Sequence, residues 1–271
     1  MKRDLFVDPE NDARSIDDLF NVALSEPDED VAWDAVMTLH HRGSREVLDR
    51  AAALARSDCP LERRVGAEVL AQLGCPGRPY SDEVKAILLP RLEFETDAAA
   101  LAAVISALAH QDGTDGRRAS LRFLRHPDAD VRYSIVHALS TLTEPWAVAG
   151  LIELSRDSDP KVRDWSTFGL GSMIEVDKPE IRAALKARLN DEDPDARGEA
   201  LVGLARRKDL AVSPSLRERL AADDVDSYDL EAAEEMSDPE LLPLLQALRS
   251  PQDDESWRMA LESAIEACAP A

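Results

Sequence analysis

A short motif followed by a spaced leucine, Asp159-Pro160-Lys161-Val162-Arg163 then Leu170, returns along the whole chain. That repetition narrows the available folds more than any other feature. With Val162 as position zero, the frame also falls on Val31, Glu62, Ala100, Val131, Ala196, Tyr228 and Trp257, at intervals of 29 to 38 residues. Position +8 is apolar in every unit: Leu39, Leu70, Leu108, Leu139, Leu170, Leu204, Met236 and Ile265. Position +4 is small or apolar throughout, and position +7 is small in most units, with Glu235 the exception. A 0, +4, +7/+8 spacing marks one face of an α-helix, and small side chains on that face admit a close neighbour.

Position −3 is aspartate in six units: Asp28, Asp97, Asp128, Asp159, Asp193 and Asp254. An aspartate there caps the free N–H groups of the first helical turn. Proline follows at Pro160 and Pro194, the first helical position, where its missing N–H costs nothing. Position +1 is arginine at Arg63, Arg132, Arg163, Arg197 and Arg258. Second amphipathic stretches, such as Glu46 to Ala55 and Pro179 to Leu189, lie between these helices. No stretch alternates convincingly with period two, so no strand is expected. The reading is an all-α chain of about eight helix pairs, with residues 1–12 an N-terminal tail and 13–271 a single array. Gly74-Cys75-Pro76-Gly77-Arg78-Pro79 reads as a longer loop within it.

The D-x-x-V-R-x-x-A-x-x-A-L pattern resembles HEAT repeats of the short bacterial type, known from phycobilisome-lyase-like proteins, over about residues 13 to 268. The resemblance implies an α-α superhelix, the HEAT-repeat solenoid. It also implies a hydrogen-bonded ladder between units, carried here by Asp128, Asp159, Asp193, Arg132, Arg163 and Arg197. The Tyr228 unit departs most, with Val225 in place of the cap, Asp229 in place of the arginine and Glu235 at a small-residue position.

Charge limits the partners. The formal net charge is −22. Phosphate binding draws on lysine and arginine, so nucleic acid is not expected as a ligand, and neither is an anionic membrane. A protein partner fits better. The longest apolar run, Ala98 to Ala109, is too short for a bilayer, which needs about 20 residues. Cys59, Cys75 and Cys268 form no C-x-x-C pair and are odd in number, which points to a reducing, cytoplasmic context. The opening Met1-Lys2-Arg3-Asp4-Leu5 turns acidic at once, without the apolar core of a signal peptide.

No catalytic residue, metal site or cofactor is expected. HEAT-like metal hydroxylases use His-Glu pairs, and none of His40, His41, His110, His126 and His137 precedes a glutamate. Asp164-Trp165 could serve as the acid and aromatic of a HEAT-like DNA glycosylase, but the net charge opposes that reading. His40 and His41 are adjacent on a helix and point about 100° apart, which makes a poor chelating pair. The resemblance leaves one enzymatic alternative, a lyase-like activity on a tetrapyrrole, for which no attachment motif is visible.

Two binding surfaces are expected. If the signature helices line the concave face, positions +2, +3, +6, +9 and +10 point outward. In the first unit these are Trp33, Asp34, Met37, His40 and His41; the third includes His110. The fourth includes Tyr133, Ser134 and His137, and the fifth Asp164, Trp165 and Phe168. Only Asp34 and Asp164 are charged in the outward rows of these four units, although 32% of the chain is charged. Interface cores favour aromatics and methionine with few charges. Trp33, Met37, His110, Tyr133, His137, Trp165 and Phe168 are therefore the partner-binding candidates. The alternative is that neighbouring helices bury more of this face than the register assumes. The second surface is the acidic run holding Asp223, Asp224, Asp226, Asp229, Glu231, Glu234 and Glu235, with no lysine or arginine from Asp223 to Glu240. It would suit an acidic inhibitor or immunity-type protein masking a basic partner.

Overall fold

The computed structural model describes residues 12–249 and 254–270. Most of the expected N-terminal tail, residues 1–11, lies outside the described residues. The rest is helical, with no strand among the described residues. No described helix is long and apolar enough to cross a membrane. The chain divides into two compact units, the first ending at Leu139 and the second beginning at Ser140.

The first unit holds α1 (Ile16–Ser25), α2 (Glu29–Arg42), α3 (Arg45–Leu54), α4 (Pro60–Ala71), α5 (Ser81–Leu88), the single turn α6 (Arg91–Phe94), α7 (Ala98–Ala109), α8 (Asp115–Ser120) and α9 (Ala129–Leu139). The signature helices α2, α4, α7 and α9 pack in succession, each on the next. The second unit holds α10 (Pro145–Leu154), α11 (Pro160–Phe168), α12 (Pro179–Arg188), α13 (Pro194–Arg206), α14 (Ser213–Leu220), α15 (Ser227–Met236), α16 (Leu242–Ala247) and α17 (Glu255–Cys268). Here α11, α13, α15 and α17 form the corresponding row.

The repeat positions explain this packing. Leu39, Leu70, Leu108, Leu139, Leu170 and Leu204 are all buried, and each buried leucine contributes about 1.5–3 kcal/mol. Small residues set the approach distance. A Cβ on Gly66 of α4 would fall 2.4 Å from the Ala55 nitrogen at the end of α3. One on Gly203 of α13 would fall 2.5 Å from the Gly171 Cα. Larger side chains at either place would force neighbouring backbones apart.

All six position −3 aspartates cap their helices, for example Asp97 accepting from Ala100 N–H at 3.0 Å and Asp254 from Trp257 N–H at 2.8 Å. The ladder differs from its expected form. Arg63 and Arg163 reach not the next cap but a carboxylate two residues before it. Arg63 makes two 2.8 Å contacts to Glu95, and Arg163 contacts Asp191 at 2.9 Å. Those carboxylates also accept the cap's own N–H, from Asp97 and Asp193, both at 3.0 Å. The cap oxygens are already committed to the helix start, so the upstream carboxylate takes the cation. Arg132 and Arg197 hold the backbone carbonyls that precede their own caps.

The Tyr228 unit is capped one residue later than expected, by Asp226 in a capping box with Asp229. Tyr228 leaves the core position assigned to it: its ring lies over Gly198 of α13, where a Cβ would come within 2.2 Å. After Phe168 the helix widens into a π turn, Gly169–Met173. Arg207 gathers carbonyls in and just after that turn, donating to Leu170, Gly171, Ile174 and Val176, and also to Gly203 of its own helix, at 2.7–3.2 Å.

Candidate partner-binding faces of the signature helices

In the first unit, Trp33 stands 45% exposed on α2, its ring edge-on to His40 with centroids 6.2 Å apart. His40 itself corrects the expected register. It is only 2% exposed, and its Nε2 lies 2.9 Å from the Glu68 carbonyl. A carbonyl can only accept, so Nε2 carries the proton. Burial pushes His40 below the usual histidine range, leaving it neutral at pH 7. Asp34 and Ser134, also placed outward in the sequence, are buried. Asp34 pairs with Arg14 at 2.7 Å. On α2 and α9 position +3 faces the helices stacked alongside, as +9 does on α2, so the accessible row in the first unit narrows to +2, +6 and +10; on α11 the +3 residue, Trp165, stays exposed.

On that row Met37 and His110 are half-buried, and His137 is exposed. Half-buried Tyr133 packs edge-on against His137 at 4.8 Å, one helical turn away. His110 is pushed down by burial and then by the nearby Arg78 and Arg117. In the second unit Trp165 is 38% exposed and meets half-buried Phe168 edge-on at 5.7 Å. The first unit thus carries five of the seven candidates and the second two.

The rows are less free of charge on helices outside the four units considered in the sequence. α4 presents Arg64 and Glu68, and α13 presents Glu199 and Arg206. Beside Trp165, burial and then Asp195 and Asp193 push Asp164 up to about 6. Burial, Asp164 and Glu231 push Glu199 up to about 7. The Tyr228 hydroxyl donates to Asp195 at 3.4 Å, and burial pushes its phenol above the usual range. Glu199 sits at the outward +3 of a unit not among those four, and Tyr228 at the core position zero, so neither was a candidate.

The acidic run is largely answered by cations from outside it. Asp229 is 1% exposed and bound to Arg219, which corrects its place in a solvated patch. Burial nevertheless pushes its carboxyl up more strongly than Arg219 draws it down. Arg219 also holds Asp226 at 2.9 Å, and Arg206 holds Glu231 and Glu235 at 2.9 and 3.2 Å. Asp223 and Asp224 are exposed, and Glu234 is half-buried. Among the described residues, no group of three or more His, Cys, Asp or Glu is placed to hold a metal ion.

A model of HEAT repeats matches residues 85–171 and 148–237, together more than half the chain. Protein YibA of Escherichia coli K12 is 32% identical over 125 residues, covering 46% of this chain and 44% of that protein. The chain therefore aligns with under half the length of this curated relative. An X-ray structure of the E. coli YibA protein superposes with a TM-score of 0.76 at 25% identity, covering 94% of this chain and 92% of that one. The complex of CpcE and CpcF of phycocyanin lyase from Nostoc sp. gives a TM-score of 0.48 at 17% identity, covering 98% and 99%.

Proposed function

We propose, from the premise that this chain belongs to the HEAT-repeat family, that it is a non-enzymatic scaffold binding a protein partner through the outward rows of its signature helices. The observation that carries this reading is the set of accessible aromatic side chains, Trp33 edge-on to the buried His40, Tyr133 with His137 and Trp165 with Phe168. Aromatic side chains left accessible on helices whose other faces are buried are the anchors that interface centres use.

The reading based on an acidic surface has less support, because Arg206, Arg217 and Arg219 already pair with much of the run. Affinity capture from a lysate of the native cell, with wild type and a Trp165→Ala/Tyr133→Ala double variant as baits, tests the proposal. A protein held by wild type through a high-salt wash and lost by the variant is the expected result. A partner retained equally by both baits overturns it. Visible absorbance gained on mixing with a free bilin would instead favour the lyase-like alternative.

A further inference from the structure

A cavity of about 440 Å³ opens in the first unit between the C-terminal end of α1, the first turns of α2 and the exposed side of α4. Its volume falls in the range of about 300–1,000 Å³ that serves small ligands and side chains. Trp33 forms one wall and Leu61 another, and both are substantially exposed. Glu26, Glu29 and Asp30 stand around it on the α1–α2 connection and the start of α2, and Glu68 lines it from α4. Arg64 lines it too, 3.7 Å from Glu68, and is the only cation within 4.0 Å of Glu68 among the described residues.

We infer that this cavity receives an arginine side chain presented by the protein partner. The inference rests on the scaffold reading and names the chemistry of one contact within it. Four carboxylates against one guanidinium leave the cavity negative, so it selects a cation. The indole of Trp33 then selects the kind of cation. A guanidinium is planar, stacks on aromatic faces and is weakly hydrated, whereas an ammonium holds its water more strongly. Burial pushes Glu68 up and Arg64 only partly offsets that, so a cation entering the cavity would favour its charged form. His40 supports the geometry from beneath, joining the Trp33 ring to the Glu68 backbone.

The test uses the full-length protein and two blocked tripeptides, acetyl-Gly-Arg-Gly-amide and its citrulline counterpart, which keeps the shape but loses the charge. Binding is read from the indole N–H resonance of Trp33, assigned through Trp33→Phe. The arginine peptide should shift that resonance with a dissociation constant on the order of 1 mM. The citrulline peptide should bind at least about tenfold more weakly, and Glu68→Gln should weaken the arginine peptide about fivefold or more. No movement at Trp33, or equal binding of the two peptides, overturns the inference. The outcome is separable from the scaffold test. A silent Trp33, with the captured partner still lost from the Trp165/Tyr133 variant, removes the arginine pocket and leaves the scaffold. Charge-dependent binding at Trp33 with capture unaffected supports the pocket and removes the wider aromatic face.

Discussion

Arg163 grips Asp191 at two points, its Nη2 2.9 Å from one carboxylate oxygen and its Nε 3.1 Å from the other. Its remaining nitrogen, Nη1, holds the carbonyls of Asp157 and Ser158 at 3.0 and 3.1 Å. One side chain thus ties the loop before α11 to the loop before α13. Arg163→Met should destabilise the protein by about 2–3 kcal/mol, because a mostly buried carboxylate and two carbonyls lose a charged donor. Asp193→Ala, which removes only the cap, should cost about 1 kcal/mol. Urea unfolding followed by circular dichroism ranks the two. A costlier cap variant would contradict the assigned acceptor.

Glu95 gives the same contact a pH signature. Burial alone would raise its pKa. Hydrogen bonds from Arg63, the Asp97 N–H and Arg91 outweigh that and hold it at about 2. Its folded pKa lies below its unfolded value, so its stabilisation is complete above about pH 4.5 and is lost as pH falls toward 2. The expected loss is about 2–3 kcal/mol. Glu95→Gln should flatten the melting temperature over that window and lower it at pH 7.

Asp164 and Glu199 act in the opposite sense. Their carboxyls are raised to about 6 and about 7, so the folded state holds protons that the unfolded chain has released. Their contribution therefore declines as pH rises from about 4 to 7, and the two titrate as a coupled pair. Both are half-exposed, and solvent screening reduces the effect to about 1 kcal/mol. Asp164→Asn and Glu199→Gln should raise the melting temperature at pH 8 and leave it nearly unchanged at pH 4.5. Equal changes at both pH values would contradict the sign.

Arg207 closes the π turn by donating to four carbonyls in and just after it, and to a fifth, Gly203, on α13. A lysine carries one nitrogen in place of a planar fork, so Arg207→Lys is not conservative here. It should cost about 3 kcal/mol and speed hydrogen exchange across residues 169–176 before the rest of the second unit.

The repeated helices and their caps were legible because they rest on local periodicity. Leu39 through Leu204 and Asp28 through Asp254 could be placed by spacing alone. Contacts set by a neighbouring helix could not. The burial of His40 and Asp34 depends on what stacks beside α2. The choice of Asp191 over Asp193 depends on how the preceding loop turns, and Arg207 answers carbonyls in and just after a π turn that no residue type announces. Of the candidate site, the positions of Trp33 and Tyr133 followed from the +2 spacing and that of Trp165 from +3. Glu68 and Glu199 fall at the outward +6 and +3 of units whose rows carry charge and so lie outside the aromatic pattern, and Tyr228 was missed because its unit departs from the template.

In the proposed complex, aromatic anchors supply more of the partner's affinity than charge does. The most direct test of this is the captured partner's affinity for wild type and for the Trp165→Ala/Tyr133→Ala variant, measured across a salt series. Wild type should lose less than about tenfold in affinity between low and high salt, since contacts made away from water are poorly screened. The variant should bind about tenfold or more weakly at every salt concentration. An affinity that collapses with salt and is the same for both proteins would contradict the proposal.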